Sequence, residues 1–246
     1  PKGKTQWQAG TPNFTPAKRE LPDYSQHGEP LVQQTIKDNF DRSAQPRTAE
    51  AVSVKVPAIW HGKLDKGIEI IGTRSDEIPA VSIMIALPGG IRAEGKGELG
   101  LASLTAAMLG QGTARLSEAE LSDELQKLGA SISVSTAQYN NLITISSLTD
   151  KLPQTLALVR EVLLQPGLRE ADFERLKAQT LQGMKQSEQQ PEWLAGQAFR
   201  ELVYGKQNRL GQPTDGVLTD VEKLTLADVK RFYHAYYNST NAKVVV

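Results

Sequence analysis

From residue 57 onward the apolar positions recur with a period of two or of 3.6, and clusters of Gly, Pro, Asn and Asp separate the runs. Trp60 to Gly72 alternates about Asp65-Lys66-Gly67, which predicts a hairpin with that turn. Pro79 to Leu87 predicts the next strand, with Ile83, Ile85 and Leu87 alternating with Ser82, Met84 and Ala86. Both of its faces are largely apolar, so it is expected in the centre of a sheet covered on one side by helices. After the connector Pro88-Gly89-Gly90, with Gly95 and Gly97, comes the stretch Gly100 to Thr113. There Leu101, Leu104, Met108 and Leu109 fall at i, i+3, i+7 and i+8, one packed helix face that Gly110 and Gly112 end.

Ser117 opens a second helix through a capping box with Glu120; Leu121, Leu125 and Leu128 form its inner face and Gly129 closes it. Ala130 to Ala137 and Leu142 to Leu148 predict a hairpin joined through Tyr139-Asn140-Asn141. The small Ser131, Ser133 and Ser135 of its first strand suit a sheet edge. Three helices follow: Asp150 to Leu164 on Leu152, Leu156, Val159 and Leu163; Arg169 to Gln189 on Phe173, Leu176, Thr180, Leu181 and Met184; and Glu192 to Tyr204 after Pro191. Tyr204 to Val217 reads as a loop, Thr225 caps a last helix ending in Tyr233, Tyr236 and Tyr237, and Val244 to Val246 reads as a strand. The order predicts an α+β fold, an antiparallel-rich sheet with helices packed on one face.

Residues 1–55 are different material, holding six of the thirteen prolines and no sustained apolar period. They are expected to form an extended arm or linker, with a short helix over Gln33 to Phe40, ahead of one α+β domain at 56–246. With 28 basic and 28 acidic residues the formal net charge is zero, so nothing points to nucleic acid or an anionic membrane. No apolar run is long enough to span a bilayer, and the absence of cysteine removes disulfides, thiolate nucleophiles and thiolate metal sites. A chain that opens on Pro1 and stops within an apolar strand at Val246 reads as an excised part of a longer protein.

Candidate chemistry is sparse. His27, His61 and His234 have no second His or Glu one helical turn away and are expected to be solvated or hydrogen-bonded. Gly95-Lys96-Gly97 lacks the ending of a phosphate loop, and Glu118, Glu120, Asp123 and Glu124 fit a helix start. Ser103 has no base specified beside it, so a serine nucleophile is not supported.

The stretch Gly100-Leu101-Ala102-Ser103-Leu104-Thr105-Ala106-Ala107-Met108, with Gly112-Thr113, resembles the signature helix of the M16 peptidases, the insulinase or pitrilysin family. That helix reads Gly-Leu-Ala-His-x-x-Glu-His-Met-x-x-x-Gly-Thr and holds zinc with two imidazoles one turn apart and a carboxylate between them. Here those three positions are Ser103, Ala106 and Ala107, and the stretch expected to carry the family's third ligand, Thr180 to Met184, has no carboxylate. Similarity extends to Tyr204-Gly205 with Gly211 and Pro213, and to Thr225, Asp228, Phe232, Tyr236, Tyr237 and Asn241, so it covers Leu64 to Val246, about three quarters of the chain. The resemblance implies the non-catalytic half of a zinc-dependent metalloendopeptidase, with no catalytic residue and no metal of its own. In that family two homologous halves close like a clamshell on peptide substrates. The implied partner is a catalytic half bearing the zinc, on the same polypeptide or as a separate subunit, and the implied compartment is the bacterial periplasm. A non-peptidase scaffold subunit of the same fold, or an enzyme with unrelated chemistry, are the alternatives. At the edge corresponding to residues 130–137, the catalytic half adds an extended peptide as an extra strand.

Overall fold

The computed structural model describes residues 41–44 and 57–246. The chain divides into the units Pro1–Ser53 and Val54–Val246, and every helix and strand described belongs to the second. The expected helix over Gln33 to Phe40, and the rest of the expected arm apart from a turn at 41–44, lie outside the described residues.

Six strands form one sheet: β1 (Ile59–Lys63), β2 (Glu69–Thr73), β3 (Ala80–Pro88), β4 (Ser131–Thr136), β5 (Asn140–Leu148) and β6 (Lys243–Val245). Their order is β1-β2-β6-β3-β5-β4, antiparallel throughout except for the β2–β6 pair. The fold is thus α+β with an antiparallel-rich sheet. The β1–β2 turn lies where the sequence places it, with Lys66 and Gly67 both at positive φ (61° and 77°). β3 is central and β4 is an edge, as patterned. β5 begins at Asn140, and Ala137 N–H donates to the Asn140 carbonyl at 2.8 Å, so the tight part of that turn lies ahead of the expected Tyr139-Asn140-Asn141.

The helices are α1 (Leu101–Leu109), α2 (Glu118–Lys127), α3 (Leu152–Leu164), α4 (Glu170–Ser187), α5 (Pro191–Tyr204), α6 (Leu218–Val221) and α7 (Leu226–Tyr236). α1 is the hub of the core. Leu101, Leu104, Met108 and Leu109 are each 3% exposed or less, and they share one cluster with Ile143 and Ile145 of β5, Phe173 of α4, and Val229 and Phe232 of α7. Removing each such side chain from water contributes about 1.5–3 kcal/mol. Both predicted capping boxes form, at Ser117/Glu120 and Thr225/Asp228.

One helical expectation needs correction, and one helix was not anticipated. The inward face of α3 is Thr155, Leu158, Val159 and Val162, whereas Leu156 is 41% exposed. A polar residue can face inward because the Thr155 and Ser147 hydroxyls meet at 2.8 Å and Thr155 Oγ1 also donates to the Lys151 carbonyl. Beyond the expected loop lies α6, whose four residues are too few to show a period; its Val221 is buried.

Candidate functional site

The outer face of α1 borders a cavity of about 400 Å³. Ser103 and Ala107, one turn apart, supply its α1 wall with Leu104; Gly183 and Met184 line it from α4, Trp193 from α5, and Asp215 from the loop side. Ala106 does not line it and is buried, at 4% exposure. The structure therefore brings Ser103 and Ala107 to one space and keeps Ala106 out of it. His61 lies in β1 and His234 in α7, and neither lines the cavity; His27 lies outside the described residues.

A buried ion pair fixes the geometry. Glu94, its side chain fully buried, accepts Arg209 Nε at 2.8 Å through Oε2. Through Oε1 it accepts the backbone N–H groups of Gly100 (3.1 Å) and Ala102 (2.9 Å). One carboxylate thus satisfies two orphan donors at the start of α1, where a negative charge is also favoured by the helix dipole. Burial pushes the Glu94 carboxyl above its ordinary value, opposed by the Ala102 N–H, the Arg209 guanidinium and the Gly100 N–H. The same guanidinium donates to the carbonyls of Pro213 (2.8 Å) and Thr214 (3.0 Å), tying the cavity's loop wall to the helix start.

That loop approaches α1 as closely as backbone can. Gly100 has φ 100°, and a Cβ there would stand 2.4 Å from the Asp215 carbonyl oxygen; at Gly216, φ 91°, it would stand 2.1 Å from that of Leu99. Only glycine meets both demands. Sequence reasoning passed over Glu94 and Arg209. A carboxylate shortly before a helix start was the available signal for Glu94; nothing local marks Arg209.

The donor set does not fit zinc. Ala107 offers a methyl, Ala106 is in the core, and the Ser103 hydroxyl, which donates to the Thr214 carbonyl at 3.4 Å, is a poor ligand for a cation that prefers imidazole, thiolate or carboxylate. Among the described residues no group of three or more His, Cys, Asp and Glu is placed to hold a metal ion. Among the described residues Ser103 has no base in hydrogen-bond reach to make it a nucleophile. What remains is a binding space: Thr180 and Ser187 line it with hydroxyls that have no hydrogen-bond partner among the described residues, beside the apolar surfaces of Met184 and Trp193.

The family model described as Insulinase (Peptidase family M16) matches residues 70–214. In sequence the chain is similar to the non-peptidase homolog YmxG of Helicobacter pylori (strain ATCC 700392 / 26695), 23% identical over 196 residues that cover 79% of this chain and 45% of that protein. It is also similar to the mitochondrial-processing peptidase subunit beta of Saccharomyces cerevisiae (strain ATCC 204508 / S288c), 20% identical over 191 residues that cover 78% of this chain and 41% of that one. Its fold is similar to a peptidase M16 inactive domain from Pseudomonas fluorescens, with a TM-score of 0.71 and 24% identity over 76% of this chain and 46% of that one. It is similar too to the periplasmic protease PqqL from Escherichia coli, with a TM-score of 0.67 and 18% identity over 78% of this chain and 22% of that one. The chain spans less than half the length of these relatives.

Proposed function

The chain belongs to the insulinase family of peptidases, family M16, and from that premise we propose that it is a non-catalytic part of a zinc-dependent metalloendopeptidase. It walls the clamshell chamber that encloses peptide substrates, while a homologous half, on the same polypeptide or a separate subunit, carries the zinc and the hydrolytic chemistry. One observation carries the reading: Ser103 and Ala107 stand on the cavity-facing side of α1 where metal ligands would project, inside a helix whose packing is otherwise complete. The description of the Pseudomonas relative as an inactive domain supports it. The compartment we propose is the bacterial periplasm, in keeping with the description of the Escherichia relative.

The test is reconstitution. This chain and a zinc-bearing family member encoded in the same genome are purified separately and mixed. Co-elution, together with peptide cleavage that needs both and is abolished by a chelator, is the expected result. Cleavage by the zinc-bearing member alone, unchanged on adding this chain, would overturn the proposal. A second reading, a scaffold subunit with no peptidase attached, draws on the naming of the Helicobacter relative as a non-peptidase homolog. In that case the chain co-elutes with a partner and no cleavage follows.

A further inference from the structure

The cavity over α1 combines one carboxylate with hydroxyl and apolar lining groups. Among the described residues lining it Asp215 is the one that ionises; it is exposed at the cavity's rim, and its carboxylate has no hydrogen-bond or ion-pair partner among the described residues. The hydroxyls of Thr180 and Ser187 are likewise unpartnered there. The guanidinium nearest in sequence, Arg209, is already committed to Glu94 and to the carbonyls of Pro213 and Thr214. Met184 and Trp193 give another part of the wall an apolar and aromatic surface. A volume of about 400 Å³ lies within the range of about 300–1,000 Å³ usual for ligand pockets.

We propose that this cavity receives the side chain of a lysine or arginine from an unfolded peptide, its methylene stem against Met184 and Trp193 and its cationic head at Asp215. Such a side chain is the ligand whose two ends match the two halves of the lining. Its stem covers apolar surface while its head stays polar. The indole of Trp193 can add a cation–π attraction, and the head donates hydrogen bonds to the Asp215 carboxylate and to the Thr180 and Ser187 hydroxyls. An acidic side chain would meet Asp215 as a like charge, and a purely aliphatic one would gain no ionic contact with it. The space that holds a metal in catalytic members thus holds, here, a positive charge that arrives with the substrate. The inference rests on the reading that the chain faces peptides.

The experiment uses the full 246-residue chain, isotope-labelled, titrated with blocked tripeptides of sequence Ala-X-Ala in which X is lysine, arginine, norleucine or glutamate. The lysine and arginine peptides are expected to shift the resonances of Ser103, Gly183 and the Trp193 indole, and to bind roughly three- to tenfold more tightly than the norleucine peptide. Asp215→Asn removes that preference and leaves norleucine binding as it was. Gly183→Leu fills the cavity and abolishes binding of all of them; a Cβ at Gly183 meets nothing within 4 Å, and an unchanged amide spectrum away from the cavity checks that the variant keeps the fold. Equal affinity for lysine and norleucine peptides, a preference that survives Asp215→Asn, or shifts elsewhere on the surface would each overturn the proposal. Failure is separable from that of the functional reading: a chain that joins its zinc-bearing partner and ignores basic peptides retains the function and loses this site. A chain that takes basic peptides and joins no such partner does the reverse.

Discussion

Arg209 reaches Glu94 across 115 positions of sequence and meets its carboxylate at 2.8 Å in a space where the glutamate side chain has no exposure at all. The pair joins the start of α1 to the loop wall of the cavity, so its loss should be felt both in stability and in the shape of the site. A buried pair broken on one side leaves an uncompensated charge, which costs about 3–5 kcal/mol. Arg209→Met is therefore expected to lower the unfolding free energy by about that amount near neutral pH, measured by urea denaturation. The sign of its pH dependence follows from Glu94, whose pKa is already raised above 4.5 by burial and rises further without the guanidinium. A carboxyl with a raised folded-state pKa loses stability as pH climbs from its unfolded value through its folded one. The deficit of Arg209→Met should accordingly shrink toward pH 4 and grow above it, whereas Glu94→Gln, having no carboxyl there, should lack that slope.

The close approach of the loop to α1 gives a second prediction. Gly100→Ala and Gly216→Ala each demand a left-handed conformation of an L-residue, about 1–2 kcal/mol, and each places a Cβ against a backbone oxygen that cannot move alone. Both variants should melt well below the parent. Gly97→Ala, equally at positive φ (81°) but with nothing within 4 Å of its Cβ, should lose only the conformational part. Equal losses at all three positions would mean that the contact between loop and helix contributes nothing.

Much of this architecture was legible because its determinants lie within a few residues of one another. The face Leu101, Leu104, Met108 and Leu109, the boxes Ser117/Glu120 and Thr225/Asp228, and the serine-marked edge β4 are all short-range patterns, and all formed. What escaped the sequence depends on partners far along the chain. The three residues of β6 carry no mark that they insert between β2 and β3. Thr155 looks like a surface residue until Ser147 is placed beside it. The cavity itself was half legible: the helix motif named Ser103 and Ala107 as neighbours of one space, but the roles of Glu94, Arg209 and Asp215 exist only once the loop at 209–216 has folded back.

The box at the start of α7 should show itself in acid. Thr225 donates to Asp228 from its hydroxyl (2.6 Å) and its backbone N–H (2.9 Å), and Arg231 donates to the same carboxylate at 2.6 Å. The Thr225 hydroxyl is the leading cause that lowers the Asp228 pKa below 3.8, and the lowering outweighs the opposing effect of burial. A carboxylate with a depressed folded-state pKa contributes stability that is present above its unfolded value and is lost as pH falls through its folded value. Asp228→Asn should thus cost about 0.5–2 kcal/mol at pH 7. The difference from the parent should fade below pH 3.8, read from denaturant midpoints across that range.

The last prediction turns on Gly183, which sits within α4, faces the cavity and has open space where a Cβ would be. Glycine inside a helix is less stable than alanine by about 0.5–1 kcal/mol, so Gly183→Ala should raise the melting temperature, a gain expected only because nothing crowds the position. Gly183 shares the cavity's lining with Ser103 and Ala107, so it is the α4 position chosen to carry a carboxylate toward them. In the triple variant Ser103→His, Ala107→His, Gly183→Glu, two imidazoles one turn apart and one carboxylate converge from two helices, the ligand number of a catalytic zinc site with an open position. One equivalent of zinc, retained through gel filtration and detected by elemental analysis, is the expected outcome; the parent chain should retain none. Peptide hydrolysis should not follow, because Ala106, which is buried, still provides no carboxylate to take a proton from bound water. Failure of the triple variant to hold zinc while remaining folded would mean that α1 and α4 stand at a separation the metal cannot bridge, and that the resemblance of this cavity to a metal site ends at its outline.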